Sequence, residues 1–348
     1  MWNSNDYNIF LVLMTTFVVS VVLVPIIKRI AIHVNAIDLP DKRKVHQKPI
    51  PRMGGLAVFL AFLTGYLLFA DKTETMNAIL IGSFIIVLLG ILDDIKSIKA
   101  RYKIIVHIIA ASVVVFYAQI FLSHISAFGI TINFGLFGYP LAILFIVAII
   151  NAINFIDGID GLSSGIGAIY FTTIAIIALA LNHLGGLDIM LCLLMLGATL
   201  GFLVYNFPPA SIFQGDTGST FLGFMIAVIA LLGFKGPALT SLIIPVAVLF
   251  LPILDTIFAI LRRIIKGENI AKPDKEHIHH QLLKLNKSPR KTVLIMYSIT
   301  ILCAGISLFY AFGDSQLAIL LYVILLMIII FLILNTNILF KQTKKSRK

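Results

Sequence analysis

Apolar residues run along this chain in long blocks, with polar residues gathered into short intervals between them. Blocks of roughly 17–25 residues have the length needed to cross a bilayer as a helix. The pattern predicts spans over residues 8–27, 53–70, 76–92, 104–122, 137–155, 165–181, 187–205, 220–234, 238–261, 292–312 and 317–340, eleven in all. The eighth is short, and Gly236-Pro237 separates it from the ninth.

The charges fit this count. With eleven spans and the N-terminus outside, every Lys and Arg except Lys72 and Lys235 falls on the inner side. That is a strong positive-inside asymmetry, and a missed or extra span in mid-chain would scramble it. Lys28 and Arg29 follow the first apolar run and no basic residue precedes it, the reverse of a cleaved secretory signal. The first span is therefore expected to be retained. The basic tail over 341–348 suits an anchor against an anionic inner leaflet.

Composition supports the same class. Of 348 residues, 59% are hydrophobic and 12% charged, about half the charged share of a soluble domain. The expected fold is an all-α integral membrane protein, one polytopic domain over 1–348 with its C-terminus cytoplasmic. Its chemistry is expected in inner loops near 28–52, 93–103, 154–164, 206–219 and 262–291. The net charge of +11 belongs to these membrane-flanking loops, not to a nucleic-acid surface. Cys192 and Cys303 lie in apolar runs and suggest neither a disulfide framework nor a zinc site.

Against this apolar background the stretch Asn151-Ala-Ile-Asn154-Phe-Ile-Asp157-Gly-Ile-Asp160-Gly-Leu stands out. Ionisable groups beside a span are functional candidates, because burying their charge in hydrocarbon is costly. Asn151, Asn154 and Asp157 share one helix face by their spacing. Gly158 and Gly161 let the chain break, leaving Asp160 on a turn. Asp93-Asp94, Gly215-Asp216-Thr217-Gly218-Ser219 and His277-Ile278-His279-His280 lie on the same predicted side. A transporter would place such groups near the midplane, so one-sided clustering favours an enzyme over the transporter alternative. Carboxylates without cysteine favour a hard cation such as Mg²⁺. As a bare sequence feature Asp216 reads most often as a helix N-cap, and backbone N–H groups there could also hold phosphate oxygens. Asp255, three residues after Pro252, has no assigned role; Arg262 or another span are the candidate partners. Together these features point to phosphoryl transfer, which relies on positioning and charge neutralisation.

The ordered set of these motifs resembles the polyprenyl-phosphate N-acetylhexosamine-1-phosphate transferases. The inner-loop stretch Lys44-Val-His-Gln-Lys48-Pro-Ile-Pro51-Arg52-Met-Gly54-Gly55 and the segment Asn206-Phe-Pro-Pro-Ala-Ser-Ile-Phe213-Gln-Gly-Asp216 add to the likeness. The resemblance implies transfer of a sugar 1-phosphate from a UDP-sugar to undecaprenyl phosphate with release of UMP, requiring Mg²⁺ or, as a substitute, Mn²⁺. It implies Asp216 and Asp157 at the metal, with Asn154 beside them. Asp93 and Asp94 would serve the lipid phosphate or the metal, one as a base. Asp160, Asn206 and Phe213 would hold uridine, and Lys103, His279 and His280 would contact phosphates. Ile278 interrupts the histidine run, as in the UDP-GlcNAc branch, whereas the UDP-MurNAc-pentapeptide branch of peptidoglycan synthesis typically carries three consecutive histidines. The likeness extends to Gram-positive members that begin wall teichoic acid synthesis. The expected site faces the cytoplasm at the cell membrane, and the lipid-facing runs permit a homodimer.

Overall fold

A computed structural model describes residues 8–40, 48–127, 130–180, 187–233, 243–267 and 277–335. Residues 44–47 of the first inner loop, Gly236-Pro237, 268–276 of the last large loop and the 341–348 tail lie outside these residues.

Each predicted span has a helical counterpart. In chain order these are α1 (Ile9–His33), α2 (Gly54–Phe69), α3 (Glu74–Ile95), α4 (Ala100–Ser112), α5 (Gly138–Ile156), α6 (Leu162–Ala180), α7 (Leu187–Asn206), α8 (Gly215–Leu232), α9 (Ile243–Val248) with α10 (Phe250–Lys266), α12 (Pro289–Phe312) and α13 (Ser315–Asn335). A short helix, α11 (Ile278–Asn286), lies outside the predicted set. Eight helices among the described residues are long and apolar enough to cross a membrane; α2 and the described part of α13 are apolar but shorter. The protein is thus a mostly helical, multi-pass membrane protein. Helix starts follow local chemistry: the side chains of Asn8, Thr73 and Ser288 accept from backbone N–H groups of α1, α3 and α12.

Two details go beyond the expected pattern. The ninth span is broken at Leu249 between α9 and α10. Among the described residues, four short strands accompany the helices of this all-α fold. Strands β1 (Ile37–Asp38) and β2 (Ile50–Pro51) form one antiparallel pair, and β3 (His124–Ala127) and β4 (Ile130–Asn133) another. Both are too short to show as alternation in the sequence.

The site is positioned by α8, of whose residues 89% are buried, against 22% of the spanning part of α1. Such enclosure needs small residues at the contacts. A Cβ at Gly55 would overlap the Gly218 backbone, and one at Gly90 would overlap Thr217 Cα. The starts of α2 and α8 and the end of α3 are thereby drawn together. The segment after β2 continues the contact. Phe213 N–H donates to Pro51 O (2.8 Å), while Gly54 and Gly55 N–H donate to the carbonyls of Phe213 and Gln214 (both 2.9 Å).

Candidate active site

Asp93 and Asp94 end α3 beside the first turn of α8. Asp94 Oδ1 accepts Asp216 N–H (2.9 Å), and its Oδ2 accepts Thr217 N–H (3.1 Å) and the Thr217 hydroxyl (2.6 Å). Its side chain is fully buried. Asp94 therefore caps α8 from another helix, satisfying N–H groups that have no partner within α8. This bears on both sequence readings of Asp216. It lies in the first turn rather than at the N-cap, which is Gln214, and two N–H groups considered for phosphate are already occupied.

The Asp216 carboxylate lies between two cations. Lys103 from α4 bridges Asp216 and Asp93 (2.8 Å to the latter). Arg52 lies 3.4 Å from Asp94 and 3.5 Å from Asp216. Burial works against the Arg52 charge, but Asp94, Asp216, Asp38 and Asp93 outweigh it and hold the guanidinium pKa above its ordinary value. Asp93 also accepts Ile98 N–H (2.6 Å). Lys103, expected at a substrate phosphate, is paired here with Asp93 and Asp216.

Asp157 is treated differently. It caps the C-terminal end of α5, where the helix gives way to the Asp157–Gly161 turn. The Ser163 hydroxyl donates to it, and its carboxylate forms no ion pair among the described residues. Burial pushes its pKa up to about 8; the Ser163 hydrogen bond opposes the shift and the Asp216 charge adds to it. Asn154, one turn earlier, donates to Ser219 Oγ (2.8 Å), leaving its side-chain oxygen unpaired among the described residues. Asn151, three residues earlier on α5, donates back to Val147 O (2.7 Å).

The turn is fixed from below. Asn206 Oδ1 accepts Gly161 N–H (3.0 Å) and the Ser164 hydroxyl (3.2 Å), and its amide donates to Ile212 O (3.0 Å). Gly161 adopts φ +74°, a conformation glycine tolerates, and Tyr297 donates to its carbonyl (2.5 Å). The Ser163 and Ser164 hydroxyls also lie 2.8 and 2.6 Å from Gln214 Oε1. Asn206 is 2% exposed; its polar atoms join two loops rather than pointing freely at a ligand. Asp160 accepts Ala210 N–H (2.9 Å) across the same pair of loops.

These elements surround one cavity of about 1330 Å³. Its wall carries Asn154, Asp157, Asp160, Asn206, Phe213, Asp216 and His280 of the predicted residues. Asp93, Asp94 and Lys103 stand behind Asp216. His279 does not reach the wall: it is fully buried against Gly158. Adjacent residues on a helix point about 100° apart, so α11 presents His280 to the cavity and His279 to the interior. Burial, then the neighbouring His279 and His277, push the His280 pKa down to about 4; burial lowers that of His279, against Asp255.

Arg52 and Arg290 also line the cavity, with no role assigned from the sequence. Arg52 lay within a matched stretch, but nothing local marked it as a carboxylate partner. Arg290 resembled ordinary positive flanking of α12. Its Nε donates to Pro208 O (2.7 Å) and its guanidinium lies 5.9 Å from the Phe207 ring centroid.

The acidic donor set consists of oxygens. Among the described residues no three His, Cys, Asp or Glu side chains converge as a ready metal cage. Asp157, Asp216 and the unpaired Asn154 oxygen on the same cavity wall are oxygen donors of the type that suits Mg²⁺, which binds through one or two carboxylates and completes its shell with water and substrate phosphates.

Comparison with known proteins shows the family. The profile described as glycosyl transferase family 4 matches residues 76–234. A probable undecaprenyl-phosphate N-acetylglucosaminyl 1-phosphate transferase of Bacillus subtilis is 42% identical over 302 residues, covering 82% of each chain. A decaprenyl-phosphate N-acetylglucosaminephosphotransferase of Mycobacterium tuberculosis is 32% identical over 303 residues, covering 78% of this chain and 74% of its own. An undecaprenyl-phosphate alpha-N-acetylglucosaminyl 1-phosphate transferase of Haemophilus influenzae is 29% identical over 311 residues, covering 86% and 85%. By these matches, and with the motifs gathered around one cavity, the chain belongs to glycosyl transferase family 4.

Proposed function

We propose that the protein transfers GlcNAc-1-phosphate from UDP-GlcNAc to undecaprenyl phosphate, releasing UMP and forming undecaprenyl-diphospho-GlcNAc. The observation that carries this reading is one shared cavity. It joins the carboxylates Asp157 and Asp216 to the cations Arg52 and Arg290 and to an aromatic ring, Phe213. The names of the three relatives support the reaction class. The chemistry is attack of a lipid phosphate oxygen on the sugar-bearing phosphorus, with the bond to the UMP oxygen breaking.

The geometry supports the following roles. Asp157 and Asp216 would hold Mg²⁺, or Mn²⁺ in its place, with the Asn154 oxygen beside them. When bound, the ion would neutralise charge on the donor diphosphate. Phe213 offers a face for the uracil ring, with Asp160 nearby. Arg290 and His280 on the cavity wall would face the donor phosphates, His280 as a neutral imidazole. Asp94 keeps the first turn of α8, and so Asp216, in place. Asp93 is the acid we assign to the lipid phosphate, because Asp94 is committed to the cap.

The charge asymmetry of the loops supports an eleven-span topology in the cell membrane, N-terminus outside, with the cavity on the cytoplasmic face. The lipid would enter from the inner leaflet and the nucleotide sugar from the cytoplasm. The product would serve wall teichoic acid or a related surface glycan. The test is UMP release by purified protein with undecaprenyl phosphate and Mg²⁺, comparing UDP-GlcNAc with UDP-MurNAc-pentapeptide. Release with UDP-GlcNAc alone, lost in EDTA, is the expected result. Release only with the pentapeptide would overturn the donor assignment, and no release from folded protein would overturn the reaction.

A further inference from the structure

Asp255 of α10 is 1% exposed and lies outside the cavity wall. Three groups meet its carboxylate. His277 Nδ1 is 2.9 Å from Oδ2, Ile278 N–H donates to Oδ1 (2.8 Å), and His279 Nδ1 is 3.6 Å from Oδ2. All three belong to one segment of three residues. Polar bonding between packed helices needs only one such partner.

The segment needs an external anchor. Helix α11 begins at Ile278, and the residue before it, His277, provides no side-chain cap. The first N–H groups of a helix have no partner within it, and a carboxylate is favoured there. Asp255 supplies that carboxylate from another helix, as Asp94 does for α8. Ile278 is 5% exposed in a cluster with Leu251 and Leu254 of α10 and Val293 and Met296 of α12. The His277 and His279 rings are stacked, with centroids 5.4 Å apart and planes 9° apart. His279 is wedged against Gly158, where an added Cβ would overlap Nε2. Gly158 follows Asp157, and His280 follows His279 onto the cavity wall.

We propose that Asp255 is a positioning residue. It holds the His277–His280 segment on α10 and, through the His279 ring, supports the Asp157–Gly158 turn. Its effect on turnover rests on the transferase reading; its effect on the segment does not.

The experiment therefore has two readouts. The first places a cysteine at Ile278 and follows its modification by a water-soluble thiol reagent in purified full-length protein. The native Cys192 and Cys303 are buried. With Asp255 intact the introduced thiol is shielded. Asp255→Ala is expected to raise its labelling rate about tenfold or more by releasing the segment. Asp255→Asn keeps one acceptor and is expected to give a smaller rise, about threefold. If the Ala variant does not fold, the Asn variant carries the comparison. Labelling unchanged from the Asp255 background in a folded variant overturns the proposal.

The second readout is UMP release from Asp255→Ala, His280→Ala and the double variant. Residues acting through one segment are non-additive, so the double variant is expected to match the slower single variant. Losses that multiply would contradict action through that segment. Failure of the unmodified protein to release UMP would count against the reaction, while the labelling result would still decide the role of Asp255.

Discussion

Two groups of carboxylates face each other across the site, and they are neutralised in different ways. On the α3–α8 side, Asp93 and Asp94 accept backbone N–H groups, and Lys103 and Arg52 lie among Asp93, Asp94 and Asp216. On the α5 side, Asp157 receives the Ser163 hydroxyl and has no ion pair among the described residues. The first group is largely compensated by the protein itself, with two cations and several N–H groups against three carboxylates. The second keeps a proton to about pH 8 because burial disfavours its charge. The difference suggests a division of labour: the α3–α8 side holds its shape without a ligand, and the α5 side becomes charged when a cation arrives.

The comparison can be broken most severely at Asp157 and Asp216. Asp157→Asn or Asp216→Asn is expected to lower UMP release at least about a hundredfold, because catalysis of this class depends on preorganised charge. Circular dichroism and elution volume should remain those of the unmodified protein. Near-normal UMP release from either variant would remove it from the metal assignment.

Lys103→Met tests the compensation within the first group. Without Lys103, Asp93 and Asp216 lose their shared cation in a partly buried site. A loss of about 2 kcal/mol in EDTA is expected, discounted from the cost of breaking a fully buried pair. Thermal melts should show Mg²⁺ stabilising this variant more than the unmodified protein, because the ion can replace the missing charge. Equal Mg²⁺ shifts in the two proteins would contradict that exchange.

The pH dependence isolates the second group. A folded Asp157 with its pKa raised to about 8 binds its proton more tightly than the unfolded chain, where it titrates near pH 4. Its contribution to metal-free stability therefore falls as pH rises from about 4 to about 8 and is then level. Cation binding must displace that proton, so affinity should rise up to about tenfold per pH unit below 8. Mg²⁺-dependent thermal shifts at pH 6.5 and 8.5 would measure this, and the Asp157→Asn variant should lose the dependence. The smallest expected effect is at Arg290. Arg290→Lys keeps the charge but loses the planar fork and the Nε bond to Pro208. The KM for UDP-GlcNAc should rise a few fold, about 1 kcal/mol, with kcat nearly unchanged in initial-rate measurements.

Much of this site could be read from the sequence because carboxylates and amides are conspicuous in apolar runs. The break after Asp157 and the position of Asp160 on the turn followed from Gly158 and Gly161. What escaped was pairing at a distance. Asp94 and Asp216 are separated by several helices, and no local pattern shows that one caps the helix carrying the other. Asp255 had Arg262 as a plausible neighbour on its own helix, yet its partners lie in the histidine segment 22 to 24 residues later. His279 and His280 are equivalent in composition; only the start of α11 determines which faces the cavity. The hairpins β1–β2 and β3–β4 were missed because strands of two to four residues leave no usable periodicity. The helix break at Leu249 lies inside an apolar run that hydropathy alone reads as continuous.

The central claim is that Asp157 and Asp216, neutralised so differently, share one divalent cation. Mn²⁺ titration followed by electron paramagnetic resonance tests it most directly, using unmodified protein, Asp157→Asn and Asp216→Asn at pH 8.5 with UMP present. The account predicts one bound Mn²⁺ in the unmodified protein and at least about tenfold weaker binding in each variant. Unchanged Mn²⁺ affinity in a folded Asp157→Asn protein would contradict it, and would leave Asp157 as a buried acid with another task.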